Sequence, residues 1–249
     1  MTRRGVIGFL AGGVAAGSML GACGSAPSMP DYRYRLKVEI ETPQGLRTGS
    51  SVIEVSNHLE RSINGGGYSF IYKARGEAVA VDLPGGRTLF ALLRGDDLSN
   101  VDWAARIVYD LTPLVVPETS DEYASERVQR LKNAVANREP VTLPRSMPFW
   151  GNAEAPSAYP LLATFRDIRD PASVERVDSA DLAATFGPGV VLRRITVTIT
   201  DDPVTTGIEK RFGWWDQYEN LQLDGQRYNN SQALSNNLNR MVFVSGRKL

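Results

Sequence analysis

The sequence predicts an α+β fold: an antiparallel β-meander, a helical middle section and further strands in the last third. Three observations carry this. Apolar and polar residues alternate with period two through residues 32–42 and again through 190–202, the pattern of half-buried strands. Between them, residues 96–112 and 120–139 space their apolar side chains as helices do. Gly/Pro clusters, "PQG" at 43–45 and "PGG" at 84–86, cut the first part into hairpins. Strands that flank a helical block, rather than alternate with helices, indicate α+β and not α/β.

The elements follow in order. In "YRYRLKVEIET", Leu36, Val38 and Ile40 alternate with Arg35, Lys37, Glu39 and Glu41. "LRTGSSVIEVSN" returns as a second strand, with Val52 and Val55 bracketing Ile53 and Glu54. Residues 64–95 read as two or three more strands, with Tyr68, Phe70 and Tyr72 on one face of the first. Trp103, Ile107, Val108 and Leu111 suit a helix capped by Ser99 or Asn100. A second helix has Ser120 as cap, Asp121 and Glu122 at its positive end, and Tyr123, Val128, Leu131 and Val135 on one face. Asn137 and Pro140 stop it. The proline-rich stretch 143–160 has no period and reads as a long loop. "YPLLATFRDI" is a strand, and "DSADLAATFG" a short helix between Ser179 and Gly187. "VVLRRITVTITDD" is a long strand with Val191, Ile195, Val197 and Ile199 inward, and "NRMVFVSG" is the last. Residues 31–249 are expected to form a single domain, with a break near 145–155 as the alternative.

The N-terminus has a different character. Arg3 and Arg4 precede an uncharged, mostly apolar run from Gly5 to Leu20, and small residues then lead into Cys23, the only cysteine. Charge, apolar stretch and small residues in that order read as a secretory signal over residues 1–22. The run is shorter than the roughly 20 apolar residues a bilayer-spanning helix needs. Leu20-Gly21-Ala22-Cys23 resembles the lipobox of bacterial lipoproteins. The resemblance implies that the Cys23 sulfur receives a diacylglyceryl group, that cleavage precedes Cys23, and that the new amine is acylated, commonly with palmitate. Several chains hold far better than one, since each buried CH₂ contributes roughly 0.8 kcal/mol. Gly24 stands where enteric lipoproteins retained in the inner membrane carry aspartate, which implies an outer-membrane address facing the periplasm. "TRRGVI" also looks in part like a twin-arginine export signal. Residues 23–30 would be the lipidated cysteine and a tether, whose seven residues after Cys23 span at most about 25 Å.

Removing residues 1–22 takes two of the 28 basic residues and none of the 28 acidic ones, leaving a net charge of −2. That balance carries no basic footprint for nucleic acid. With Cys23 acylated, no cysteine remains for an internal disulfide, so packing must stabilise the domain.

Few residues suggest chemistry. His58 is the only histidine, following a strand in "SNHLE", so a zinc site would be carboxylate-heavy and no metal is expected. No "GxSxG" elbow supplies a nucleophile. No cofactor is implied; Gly65-Gly66-Gly67 lacks the strand–glycine–helix context of a phosphate loop. Acidic pairs occur at Asp96-Asp97, at Asp167 with Asp170, and at Asp201-Asp202. Glycoside hydrolysis needs two carboxylates across a sugar, whereas adjacent aspartates on a strand face opposite ways, and turn roles suit these positions better. Trp214-Trp215, after "EKR", offers aromatic faces to a sugar ring, or packs with one ring inward and the other covering it.

The stretches Thr48–Val55, Gly76–Leu93 and Phe186–Arg211 together resemble a family of proteobacterial proteins with no assigned activity. The resemblance implies one contiguous domain and no mechanism. Two functions stay open: a non-enzymatic envelope lipoprotein binding a protein or glycan partner, with Trp214, Trp215, Asp201 and Asp202 as candidate ligand residues, and an envelope glycan or peptide hydrolase using acidic residues.

Overall fold

A computed structural model describes residues 28–61, 68–112, 122–147 and 157–246. Cys23, Gly65–Gly67 and Ser120 lie outside the described residues. Six strands form one sheet in the order β10-β3-β2-β1-β9-β6: β1 Tyr32–Glu41, β2 Arg47–Arg61, β3 Tyr68–Glu77, β6 Val141–Thr142, β9 Val191–Ile199 and β10 Val244–Ser245. Four form a second, in the order β4-β5-β7-β8: β4 Val79–Asp82, β5 Thr88–Gly95, β7 Pro160–Phe165 and β8 Val174–Arg176. Each assigned strand pair is antiparallel. With helices α1 (Trp103–Asp110) and α2 (Glu122–Ala136) in the middle, the architecture is the α+β fold that the patterning predicts. Among the described residues, no helix is long and apolar enough to cross a membrane.

Alternation in β1 explains the larger core. Tyr34, Leu36, Val38 and Ile40 are fully buried, while Arg33, Arg35 and Lys37 face outward. From β2, Ile53 and Val55 join them, and Val79, Val81, Leu89, Ala91 and Leu93 meet them from the second sheet. Both sheets therefore share one apolar layer, closed at one end by Trp103 and Ile107 of α1 and Val128 and Leu131 of α2.

The second sheet is covered on its other face too. Phe90 and Leu92, the alternate residues of β5, join Leu161 and Phe165 of β7 in a second cluster with Ile208, Phe212, Leu223, Leu238 and Phe243. The last four belong to a largely irregular segment held by aromatic packing, with ring centroids of Phe212 and Phe243 4.9 Å apart. Burial on both faces makes Leu89–Leu93 a continuous apolar run instead of an alternation.

Several local expectations are corrected. The meander breaks after β3, because the chain leaves the first sheet at Glu77–Val79 and begins the second. In β9, Val191 is 55 % exposed and Leu192 is buried in its place. An irregularity in the β1–β9 register leaves Arg193 unopposed between Glu39↔Arg194 and Ile40↔Leu192, which flips the phase of the strand beyond it. Asp102, not Ser99 or Asn100, precedes α1, and it makes no side-chain cap; Ser99 and Asn100 instead donate their amides to Asp97. Asp181, not Ser179, accepts the amide of Ala184 at the start of α3 (Ala183–Phe186), and Gly187 ends that helix as expected. His58 lies within β2 rather than after it. Of "NRMVFVSG" only Val244–Ser245 is strand; Arg240–Val242 forms a 3-10 turn.

Candidate functional site

The departure of β3 from the first sheet creates a corner. Pairing of β2 with β3 stops at Glu54↔Arg75, while β2 continues along β1 back to Arg47. The exposed edge of β2 must find other partners, because unpaired buried peptide groups are costly. Thr205 supplies them. Its amide donates to the Val52 carbonyl at 3.1 Å, and its Oγ1 accepts the Val52 amide at 2.8 Å. Three residues later the Glu77 carboxylate accepts the Ile208 amide at 2.8 Å, fixing the start of a 3-10 turn. On the other side β10 pairs with Gly76 and Glu77, and Phe243 accepts the Ala78 amide at 2.8 Å.

Between these segments lies a cleft of about 390 Å³, lined by Arg75, Gly76, Val204, Thr206, Val244 and Ser245 among others. The surface it exposes is mostly apolar, from Val204, Val244 and the stems of neighbouring side chains, but Arg75, Glu77, Glu209, Thr205, Thr206 and Ser245 also border it. A volume of this order with an apolar lining and few polar groups is the usual make-up of a ligand site.

Arg75 links the cleft to a polar neighbour. The register places Arg33, Glu54 and Arg75 side by side across β1, β2 and β3 on the outer face of the sheet. Arg33 Nε donates to Glu54 Oε2 at 2.8 Å, and Arg75 Nε and Nη2 donate to Oε1 at 3.0 and 2.8 Å. The Arg33 bond, then the Arg75 bonds, hold the Glu54 carboxyl below the ordinary carboxylate range. Beyond Arg33 lies a second, polar pocket of about 370 Å³ lined by Asp31, Arg33, Glu54, Ser56, Thr200 and Asp201.

The residues singled out from sequence do not converge. Asp201 borders the polar pocket and pairs with Arg138 at 3.1 Å. Asp202 turns to Arg35 at 2.5 Å and accepts the Thr200 hydroxyl at 2.7 Å, which together lower its pKa. The two carboxylates thus serve different arginines. Trp214 and Trp215 belong to the aromatic cluster behind the second sheet. Trp214 is buried, donating Nε1 to the Ile168 carbonyl at 2.9 Å, and Trp215 lies over Phe212 with ring centroids 5.8 Å apart. The arrangement is one ring inward and one covering. His58 is exposed and faces Glu60 at 3.2 Å. Asp96 pairs with Arg176, Asp167 with Arg169, and Asp170 accepts the Ala172 amide. Among the described residues, no group of three or more His, Cys, Asp or Glu is placed to hold a metal ion.

The corner cleft itself draws on three distant segments, each chemically plain. Only Thr205-Thr206-Gly207, between a strand end and a charged turn, marks any of them in the sequence. No family model matches the chain, no curated protein matches it, and no solved structure matches it.

Proposed function

We propose that this chain is an envelope lipoprotein, anchored through Cys23 in the outer membrane facing the periplasm, whose domain binds a ligand at the corner cleft without transforming it. The observation that carries the binding reading is the cleft: an apolar recess bordered by hydrogen-bonded backbone, with its acidic neighbour Glu54 held ionised by two arginines. Hydrolysis by a carboxyl pair would need one carboxyl kept protonated beside a second one that is ionised. Glu54 and Asp202 are both pushed the other way, and Asp201 and Asp202 are separated by their partners. The mostly apolar surface that the cleft exposes favours an apolar group. The anchor reading is supported by the lipobox-like end of the leader.

The test has two arms. Intact-mass spectrometry of protein from its native host is expected to show a chain starting at Cys23 with added acyl mass. Cys23→Ala is expected to fold normally and leave the membrane fraction. A processed Cys23→Ala chain that stays with the membrane contradicts the anchor.

A further inference from the structure

We infer that the corner cleft accepts the acyl tail of a single-chain anionic amphiphile taken from the bilayer beneath the domain, with Arg75 meeting its head group. This rests on the lipid-anchored reading. The seven residues between Cys23 and Asp31 span at most about 25 Å, so the anchor keeps Asp31 within that distance of the membrane. Asp31 lines the polar pocket. From there the Arg33–Glu54–Arg75 row crosses two strand spacings, roughly 10 Å, to the cleft. The path from membrane to cleft is therefore short. It runs from the polar pocket past Arg75 to a cleft whose exposed surface is mostly apolar, the order of environments of head group and tail.

Arg75 is the cleft residue on the tether side, because its guanidinium holds Glu54, which also borders the polar pocket. Its side chain is half-exposed, and its bonds to Glu54 use Nε and Nη2. Among the described residues Nη1 makes no hydrogen bond, which leaves one donor of the guanidinium for a carboxylate or phosphate. Glu77, whose carboxylate is turned to the Ile208 amide, and Glu209 also line the cleft, so the head group is read by one arginine at the tether side and not by a basic rim. The volume lies at the small end of ligand pockets, which suits one chain rather than two.

The test uses the full chain carrying Cys23→Ser, which removes the anchor, titrated with a fluorescent medium-chain fatty acid and separately with the matching alcohol. Saturable binding of both is expected, tighter for the acid. Val204→Asp and Val244→Asp should each weaken binding by about tenfold or more. Arg75→Gln should abolish the preference for acid while leaving the alcohol's affinity unchanged. Met241→Ala, outside the cleft, should change neither. Thermal melts accompany each variant, and if the aspartates unfold the protein, Val204→Leu fills the same space without charge and should reduce binding. Absence of saturable binding overturns the inference. So does binding that survives these substitutions in folded protein, or an acid preference indifferent to Arg75→Gln. A native chain without acyl mass at Cys23 that still binds the acid overturns the bilayer as source and the anchor with it, whereas a lipidated chain that binds no acid overturns the inference alone.

Discussion

Gly49 lies in β2 opposite the buried Val38, where β4 of the second sheet crosses the inner face of the first. A Cβ at this position would fall 2.2 Å from the Ala80 carbonyl oxygen and 3.0 Å from both the Ala80 carbonyl carbon and Val79 Cγ1. Carbon and oxygen in close contact stand roughly 3.3 Å apart or more, so Gly49→Ala creates an overlap of about 1 Å. The obstructing atom is backbone. Ala80 pairs with Phe90 in the β4–β5 ladder, and Val79 and Val81 on either side are buried. Relief therefore requires the two sheets to separate, at about 1–3 kcal/mol for an overpacked core. The lower chain entropy of alanine returns about 0.5–1 kcal/mol. A net loss of about 1 kcal/mol is expected, read as a lower urea midpoint at unchanged m-value. Gly213→Ala is the control, since nothing lies within 4 Å of a Cβ there. If Gly49→Ala matches Gly213→Ala within about 0.5 kcal/mol, the close approach of the sheets is wrong.

Glu39 is 3 % exposed and ion-paired with Lys37 and Arg194. The Arg194 bond, then the Lys37 bond, hold its carboxyl at about 2 against an ordinary 4.5. A lowered folded pKa stabilises above the unfolded value and loses that stability as pH falls through the folded one. Glu39→Gln should thus cost about 1 kcal/mol at neutral pH, allowing for solvent screening of the half-exposed Arg194, and the gap should close between pH 4.5 and 2 in acid melts; a gap constant with pH contradicts this. Trp214→Phe removes the bond to the Ile168 carbonyl and should cost about 1–2 kcal/mol by calorimetry, more than Trp215→Phe. The reverse order would mean that Trp214 is not the inward ring. Ser51 is buried, and its hydroxyl has no partner among the described residues, so Ser51→Ala should leave stability unchanged or raise it by up to about 1 kcal/mol. A loss beyond that in urea melts would reveal a hidden partner.

Where one face of a strand meets water, the sequence is legible: β1 and most of β9 follow directly from alternation. Legibility fails where a strand changes its surroundings. Ala78, Val79 and Val81 continue the pattern of β3, so nothing in the period marks the passage into the second sheet. One residue out of phase, Arg193, moves Leu192 inward and Val191 outward, and a bulge has no compositional signal here. Beyond Pro203 the core is built from rings on short turns, whose spacing obeys no period. Asp201-Asp202 before Pro203 and the paired tryptophans stood out as residue types, but type does not tell partner, and each found its own arginine or aromatic neighbour. The cleft was invisible for a simpler reason: it is a gap between backbones.

The four-stranded sheet has its second face closed by residues 208–243, and the edge of the larger sheet is completed by Val244–Ser245. A nascent chain that has reached only residue 200 can form the strands but leaves Phe90, Leu92, Leu161 and Phe165 facing water. The native interior thus waits for almost the entire polypeptide to be synthesised. Until then those rings have nothing to pack against, and any truncation before Phe243 should yield an aggregating product instead of a smaller folded one.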